Sequence, residues 1–177
     1  MPLRTGRRDW LWGLALGTLG LVAIVGILVT LRGSSVNTYA TVEGVKCQSQ
    51  ERLDFHEHAH LSILVRGEVV PVPADIGRME NCLFWLHTHP ADGLVHIEAP
   101  EDENFTLGQF FAVWGQPLGP TALLAETPGD GEEISATIDG EAYEGDPAGI
   151  PLDDQETIVI QLGPPFGTPP SSPFEGD

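Results

Sequence analysis

The sequence is poor in basic residues, in thiols and in the motifs of covalent catalysis, and each shortage removes a class of function. Of its eight Lys and Arg, Arg4, Arg7, Arg8 and Arg32 lie before Gly33. The remainder of the chain has only Lys46, Arg52, Arg66 and Arg78 to set against 25 of the 26 Asp and Glu, since Asp9 alone precedes Gly33. Such a field repels phosphates and anionic headgroups, which excludes nucleic acid as a partner, and it concentrates cations near the surface. Most of these carboxylates form a solvated shell, because charged side chains are mostly exposed. No phosphate loop, dinucleotide fingerprint or nucleophile constellation is present, so covalent and nucleotide chemistry have no foothold.

Cysteine is nearly absent: Cys47 and Cys82 are the only two. In an oxidising compartment a lone pair most often forms a disulfide. Closing that loop stabilises a fold by roughly 3 to 4 kcal/mol on the chain-entropy model. The competing role is a thiolate ligand, which favours copper(I) or zinc. Charge is absent altogether from residues 10–31, WLWGLALGTLGLVAIVGILVTL. As a helix this run is long enough to cross a bilayer core of about 30 Å. The arginines before it leave the amino terminus cytoplasmic and everything after Arg32 outside the cell membrane. A cleaved signal peptide is the competing reading, but the run exceeds the usual h-region and no small-x-small site follows at once. The expected organisation is a cytoplasmic segment (1–9), a single-pass transmembrane anchor (10–31), a polar stalk (32–45), an extracytoplasmic β-rich metal-binding domain (46–163) and a disordered Pro-, Gly- and Ser-rich tail (164–177).

Against these shortages stands one concentration. All six histidines fall between positions 56 and 96, as HEHAH (His56, His58, His60), HTH (His87, His89) and His96. Alternate residues of a strand share a face, so His56, His58 and His60 line one side. Their span of about 13 Å is too great for a single ion, and ligands from elsewhere must join one or two of them. The segment CLFWLHTHPADGLVHIEAP carries Asp92-Gly93 between apolar runs, a hairpin signal. A two-residue loop pairs His89 with His96 and His87 with Glu98; a four-residue loop pairs His87 with His96. Either register places His87, His89, His96 and Glu98 on one face.

Elsewhere, HLSILVRGEVVPVP reads as a hairpin turning at Arg66-Gly67, ISATIDGEAY as a second turning at Asp139-Gly140, and ETIVIQLG as a last strand. TLGQFFAVWG reads as a helix capped by Thr106 and ended by Gly115, with Leu107, Phe110, Phe111 and Trp114 at core spacing. The fold class that follows is mainly β: a small antiparallel sandwich or barrel-like domain with one short helix, preceded by the transmembrane helix.

HEHAHLSILVRGEVVPVPADIG, CLFWLHTHPADGLVHIEAP and FTLGQFFAVWGQPL resemble three signature blocks of a group of exported, membrane-anchored, histidine-rich bacterial and archaeal proteins. The resemblance covers roughly Asp54 to Leu118 and implies export and an anchor; it carries no activity, fold or cofactor across. Better-known motifs fit less well. HEHAHLS has the spacing of the histidine-triad hydrolases, but Glu57 stands where an apolar residue belongs. HTHP is similar to the zinc motif of the JAB metalloproteases, but Ile97 and Pro100 replace the Ser and Asp expected downstream.

The histidines therefore predict a metal centre drawn from His87, His89, His96, His58, His60, His56 and Glu98. Imidazole-rich, thiol-poor sites suit copper(II) first and zinc as the alternative, and Met79 can add a soft ligand for copper(I). Three roles follow. The protein sequesters copper or hands it to a membrane-protein partner; or it is a metalloenzyme with Glu57, Asp92 or Glu98 as general base; or the metal locks a structural module of a membrane complex.

Overall fold

A computed structural model describes residues 37–174. The expected cytoplasmic segment, the anchor and the first part of the stalk lie outside the described residues, as do residues 175–177. Among the described residues, no helix is long and apolar enough to cross a membrane.

In chain order the strands are β1 (Thr38–Val42), β2 (Val45–Gln48), β3 (Phe55–Val65), β4 (Glu68–Val70), β5 (Leu83–Phe84), β6 (Leu86–His87) and β7 (Leu94–Ala99). Helix α1 (Leu107–Trp114) follows, then β8 (Leu118–Gly119), β9 (Ala122–Leu123), β10 (Glu133–Ile138), β11 (Glu141–Tyr143), a 3-10 turn at Pro147–Gly149 and β12 (Thr157–Gly163). The chain is thus mainly β with one short helix among its described residues. Seven strands form the large sheet, in the order β11-β10-β12-β3-β7-β6 with β4 also paired to β3, while β1, β2 and β5 form a small one. The large sheet is mixed, which departs from the antiparallel expectation, because β12 runs parallel to β3 with His60 opposite Thr157 and Leu64 opposite Gln161. A parallel neighbour needs a long crossover, and here that crossover includes α1 and the β10–β11 hairpin.

The period of two in β3 explains the layering. Ala59, Leu61 and Ile63 are buried in the core, where Val95 and Ile97 of β7 and Ile158 and Ile160 of β12 join them. Helix α1 closes this core with Leu107, Phe110 and Phe111, each fully buried. Burying a Phe or Leu side chain stabilises by roughly 1.5 to 3 kcal/mol. Thr106 caps the helix in a capping box with Gln109, whose side chain also donates to the Glu43 carbonyl at 2.8 Å and ties the helix to the β1–β2 turn. Gly115 ends the helix at φ 74°. Both hairpin turns read from the sequence form where expected, with Arg66-Gly67 and Asp139-Gly140 at positive φ.

Two segments differ from expectation. Residues 38–45, assigned to the stalk, form β1, the Glu43-Gly44 turn and the start of β2, and Val45 is fully buried. Residues 164–174, assigned to a disordered tail, lie back on the sheet. The Gly167 N–H donates to Gln161 Oε1 at 2.9 Å and Thr157 Oγ1 bonds Ser172 Oγ at 2.8 Å. Polar side chains of β12 supply partners that Pro-rich composition alone does not reveal. The disulfide Cys47–Cys82 forms between β2 and the loop before β5, across 35 residues.

Candidate metal centre

The face of the sheet opposite the core carries the histidines. Register aligns His58 of β3 with His96 of β7, and His96 with His87 of β6, in one row across three strands. His56 lies opposite Glu98. Of the two hairpin registers open in the sequence, the structure has the one that pairs His87 with His96. Close backbone approaches hold the row in place: a Cβ on Gly77 would lie 2.6 Å from the Leu86 carbonyl oxygen and 3.1 Å from the His87 Cβ. Only glycine admits that contact, and Gly77 also sits at φ 78°.

Two overlapping groups result among the described residues. His87, His89, His96 and Glu98 each offer a ligand atom within 4.8 Å of the others, and so do His56, His58 and His96. Glu98 Oε1 lies 3.3 Å from His56 Nε2, 3.7 Å from His87 Nε2 and 3.7 Å from His96 Nδ1. His87 Nε2 and His89 Nε2 are 3.3 Å apart. For bonds of about 2.0 to 2.1 Å, ligand atoms of a tetrahedral ion lie about 3.3 Å apart. The cluster is therefore already close to the span that one ion requires.

The surroundings orient the donors. His87, fully buried, donates its Nδ1–H to the Phe84 carbonyl at 3.0 Å, leaving the Nε2 lone pair aimed into the cluster. Arg78, bonded to Asp75, donates through Nη2 to His89 Nδ1 at 3.2 Å. Guanidinium can only donate, so the neutral His89 ring carries its proton on Nε2 and passes a hydrogen bond to His87. A cation on His89 Nε2 moves that proton to Nδ1 and breaks the bond to Arg78.

Electrostatics favour an ion as well. Burial, and then the nearby His96, push the His87 imidazole down to about 3. Burial, followed by His58, His89 and His56, lowers His96 to about 4. Burial and His56 also lower His58. These rings stay neutral, the form that coordinates metal. Burial raises Glu98, against the pull of His56. His96 Nδ1 and Glu98 Oε2 are buried without a hydrogen-bond partner. An unpartnered buried polar atom costs roughly 1 to 3 kcal/mol, and a cation held by His96 Nδ1 and the Glu98 carboxylate would give that ring nitrogen a partner.

Not every candidate joins the cluster. His60 pairs with Leu94, one step beyond the row, and its Nε2 bonds the Asp92 carbonyl at 3.1 Å. The strand rise of about 6.5 to 7 Å per two residues carries it away from His58. Glu57 lies opposite Ile97, on the other side of the sheet from the histidines, so it is no general base for them. Asp92 spends its carboxylate on the Leu94 N–H within the turn. Met79 is exposed in a depression lined by Arg78, Glu80 and Cys82 and by no histidine. The disulfide removes Cys47 and Cys82 as thiolate ligands. Arg78 and the Phe84 carbonyl were invisible in the sequence, because neither position bears a metal-binding pattern.

Comparison with protein-family models, with curated proteins and with solved structures finds no match to this chain. The site defines its class alone: a β-rich protein with a buried His/Glu cluster that can hold a metal ion.

Proposed function

We propose that this protein is a membrane-anchored, extracytoplasmic metal-binding protein that takes copper through its histidine cluster and sequesters it or delivers it to a membrane-protein partner. The observation that carries this reading is the convergence of His87, His89, His96 and Glu98 within 4.8 Å of one another. Copper is favoured because imidazole and carboxylate donors without thiolate suit copper(II), which heads the affinity order for such sites. The disulfide supports an oxidising compartment, and the apolar run at residues 10–31 supports a single-pass anchor. Binding is favoured over catalysis because the nearest carboxylate, Glu98, lies 3.7 Å from His87 Nε2 and from His96 Nδ1, near enough to share an ion with them, while Glu57 faces the other side of the sheet and Asp92 bonds the Leu94 N–H.

Elemental analysis tests this on the full chain, purified in mild detergent and without an affinity His-tag. Copper that His87→Ala and His89→Ala both lose, with the circular dichroism spectrum unchanged, supports the reading. Stopped-flow transfer to a chelator without unfolding supports delivery over a structural lock. Zinc in place of copper replaces the metal assignment, and a chain that binds neither ion refutes the proposal.

A further inference from the structure

The two ligand groups share His96 and touch through Glu98, whose Oε1 lies 3.3 Å from His56 Nε2 and 3.7 Å from His87 Nε2, but their surroundings differ. The first comprises His87, which has no exposure, His89, His96 and Glu98, whose side chain is 5% exposed. The second comprises His56, 37% exposed at its side chain, His58 and His96. One ion of the kind that imidazole selects takes about four ligands in a closed site. Five imidazoles and a carboxylate exceed that number. Ring centroids trace a continuous path from the outside inward: His56 to His58 at 4.5 Å, His58 to His96 at 4.6 Å, and His96 to His87 at 5.2 Å.

Resting on the metal-binding reading above, the geometry points to a two-ion centre: a buried divalent cation on His87, His89 and Glu98, a second, solvent-facing one on His56 and His58, and the His96 ring between them serving both. His96 Nδ1 faces the Glu98 carboxylate at 3.7 Å and has no other partner, so it belongs to the inner ion. The other ring nitrogen is left for the outer ion, and its N–H proton passes to water when that ion binds. The inner site has the carboxylate, the orphaned donors and the lower exposure, and holds its ion more tightly. The outer site has three imidazoles and open positions for water or an incoming ligand, the arrangement of an exchange port. Asp154, whose carboxylate accepts from the His58 backbone N–H at 3.1 Å, puts negative charge beside the outer group and favours capture of cations from solution.

The test is a titration of the stripped, untagged full chain in mild detergent with zinc(II) and, separately, copper(II), read by equilibrium dialysis, metal analysis and proton release. The expected result is about two equivalents bound with unequal affinities. The His56→Ala/His58→Ala double variant falls to about one tight equivalent, His89→Ala retains about one weak equivalent, and His96→Ala weakens both. Because His56 and His58 lie at the exposed end of β3, their variants keep the circular dichroism spectrum of the parent. Saturation at about one equivalent with no response to His56→Ala/His58→Ala overturns the two-ion centre and leaves the metal-binding reading standing. No binding of either ion overturns both.

Discussion

Acid should destabilise the metal-free protein once the pH falls below about 6.5, the ordinary value of a free imidazole. Burial holds His87 at about 3 and His96 at about 4 in the folded chain, whereas both titrate near 6.5 when unfolded. A lowered imidazole value means that the unfolded state binds the proton first, so stability is intact above about pH 6.5 and falls as pH drops toward the folded values. At about pH 5 both rings are still neutral in the fold and protonated in the unfolded chain, so each contributes a loss of about 1.5 pH units at about 1.4 kcal/mol per unit. Together they come to about 4 kcal/mol, a large share of the roughly 5 to 15 kcal/mol of an ordinary domain. With a urea slope of about 2 kcal/mol per molar, the unfolding midpoint falls by roughly 2 M between about pH 7.5 and pH 5. Glu98, raised by its burial, acts in the opposite sense, since its fold takes up a proton before the unfolded chain does. Urea titration of the chelator-stripped protein, followed by Trp fluorescence, measures the shift. His87→Gln should remove about half of it, or roughly 2 kcal/mol. A midpoint that does not move over this range, or a His87→Gln variant that keeps the full shift, refutes the argument from buried neutral imidazoles.

Other perturbations separate the parts of the site. Glu98→Gln removes a carboxylate charge that burial disfavours, so the metal-free protein should become more stable at neutral pH; metal affinity should fall at least about tenfold. Urea unfolding and a competitive chelator titration read the two effects on one sample. Arg78→Gln should raise affinity for the inner ion roughly tenfold, because it removes a charge-assisted donor from His89 Nδ1 worth about 1.5 kcal/mol and offers an amide oxygen to the metal-bound tautomer. Arg78→Lys, which still donates, should leave affinity near that of the parent in the same titration. Replacing both cysteines by serine should cost roughly 3 to 4 kcal/mol, seen as a lower unfolding midpoint.

Local chemistry made much of this legible. The Arg66-Gly67 and Asp139-Gly140 turns and the Thr106-to-Gly115 helix depend on a few adjacent residues, and each forms where it was read. Parity did the same for the site: a hairpin of even loop length keeps His87, His96 and Glu98 on one face whatever its register, and they meet there. The β1–β2 hairpin is masked in the sequence by the polar composition of residues 32–45, although Glu43-Gly44 lies between apolar residues; β1 pairs only with its neighbour β2, and it is the distant pairing of β2 with β5 that joins the hairpin to the rest of the fold. The ordered tail was missed for a similar reason, since its partners are on β12.

Residue type and spacing alone determined that this chain would offer a histidine-rich, thiol-free face made of strands, because a period of two is a property of the extended backbone. Tertiary structure decided which histidines meet. Register between β3, β7 and β6 brings His58, His96 and His87 into one row and leaves His60 on a backbone carbonyl, and that register comes from burying Ala59, Leu61, Val95 and Ile97 on the reverse side. The parallel pairing of β12 with β3 was likewise beyond any local signal, for it depends on closing a core across about 90 residues of intervening chain. Arg78 reached His89 only because the loop after Gly77 folds over β6. Local pattern selects which side chains share a surface, and the packing of the core selects how far apart they stand.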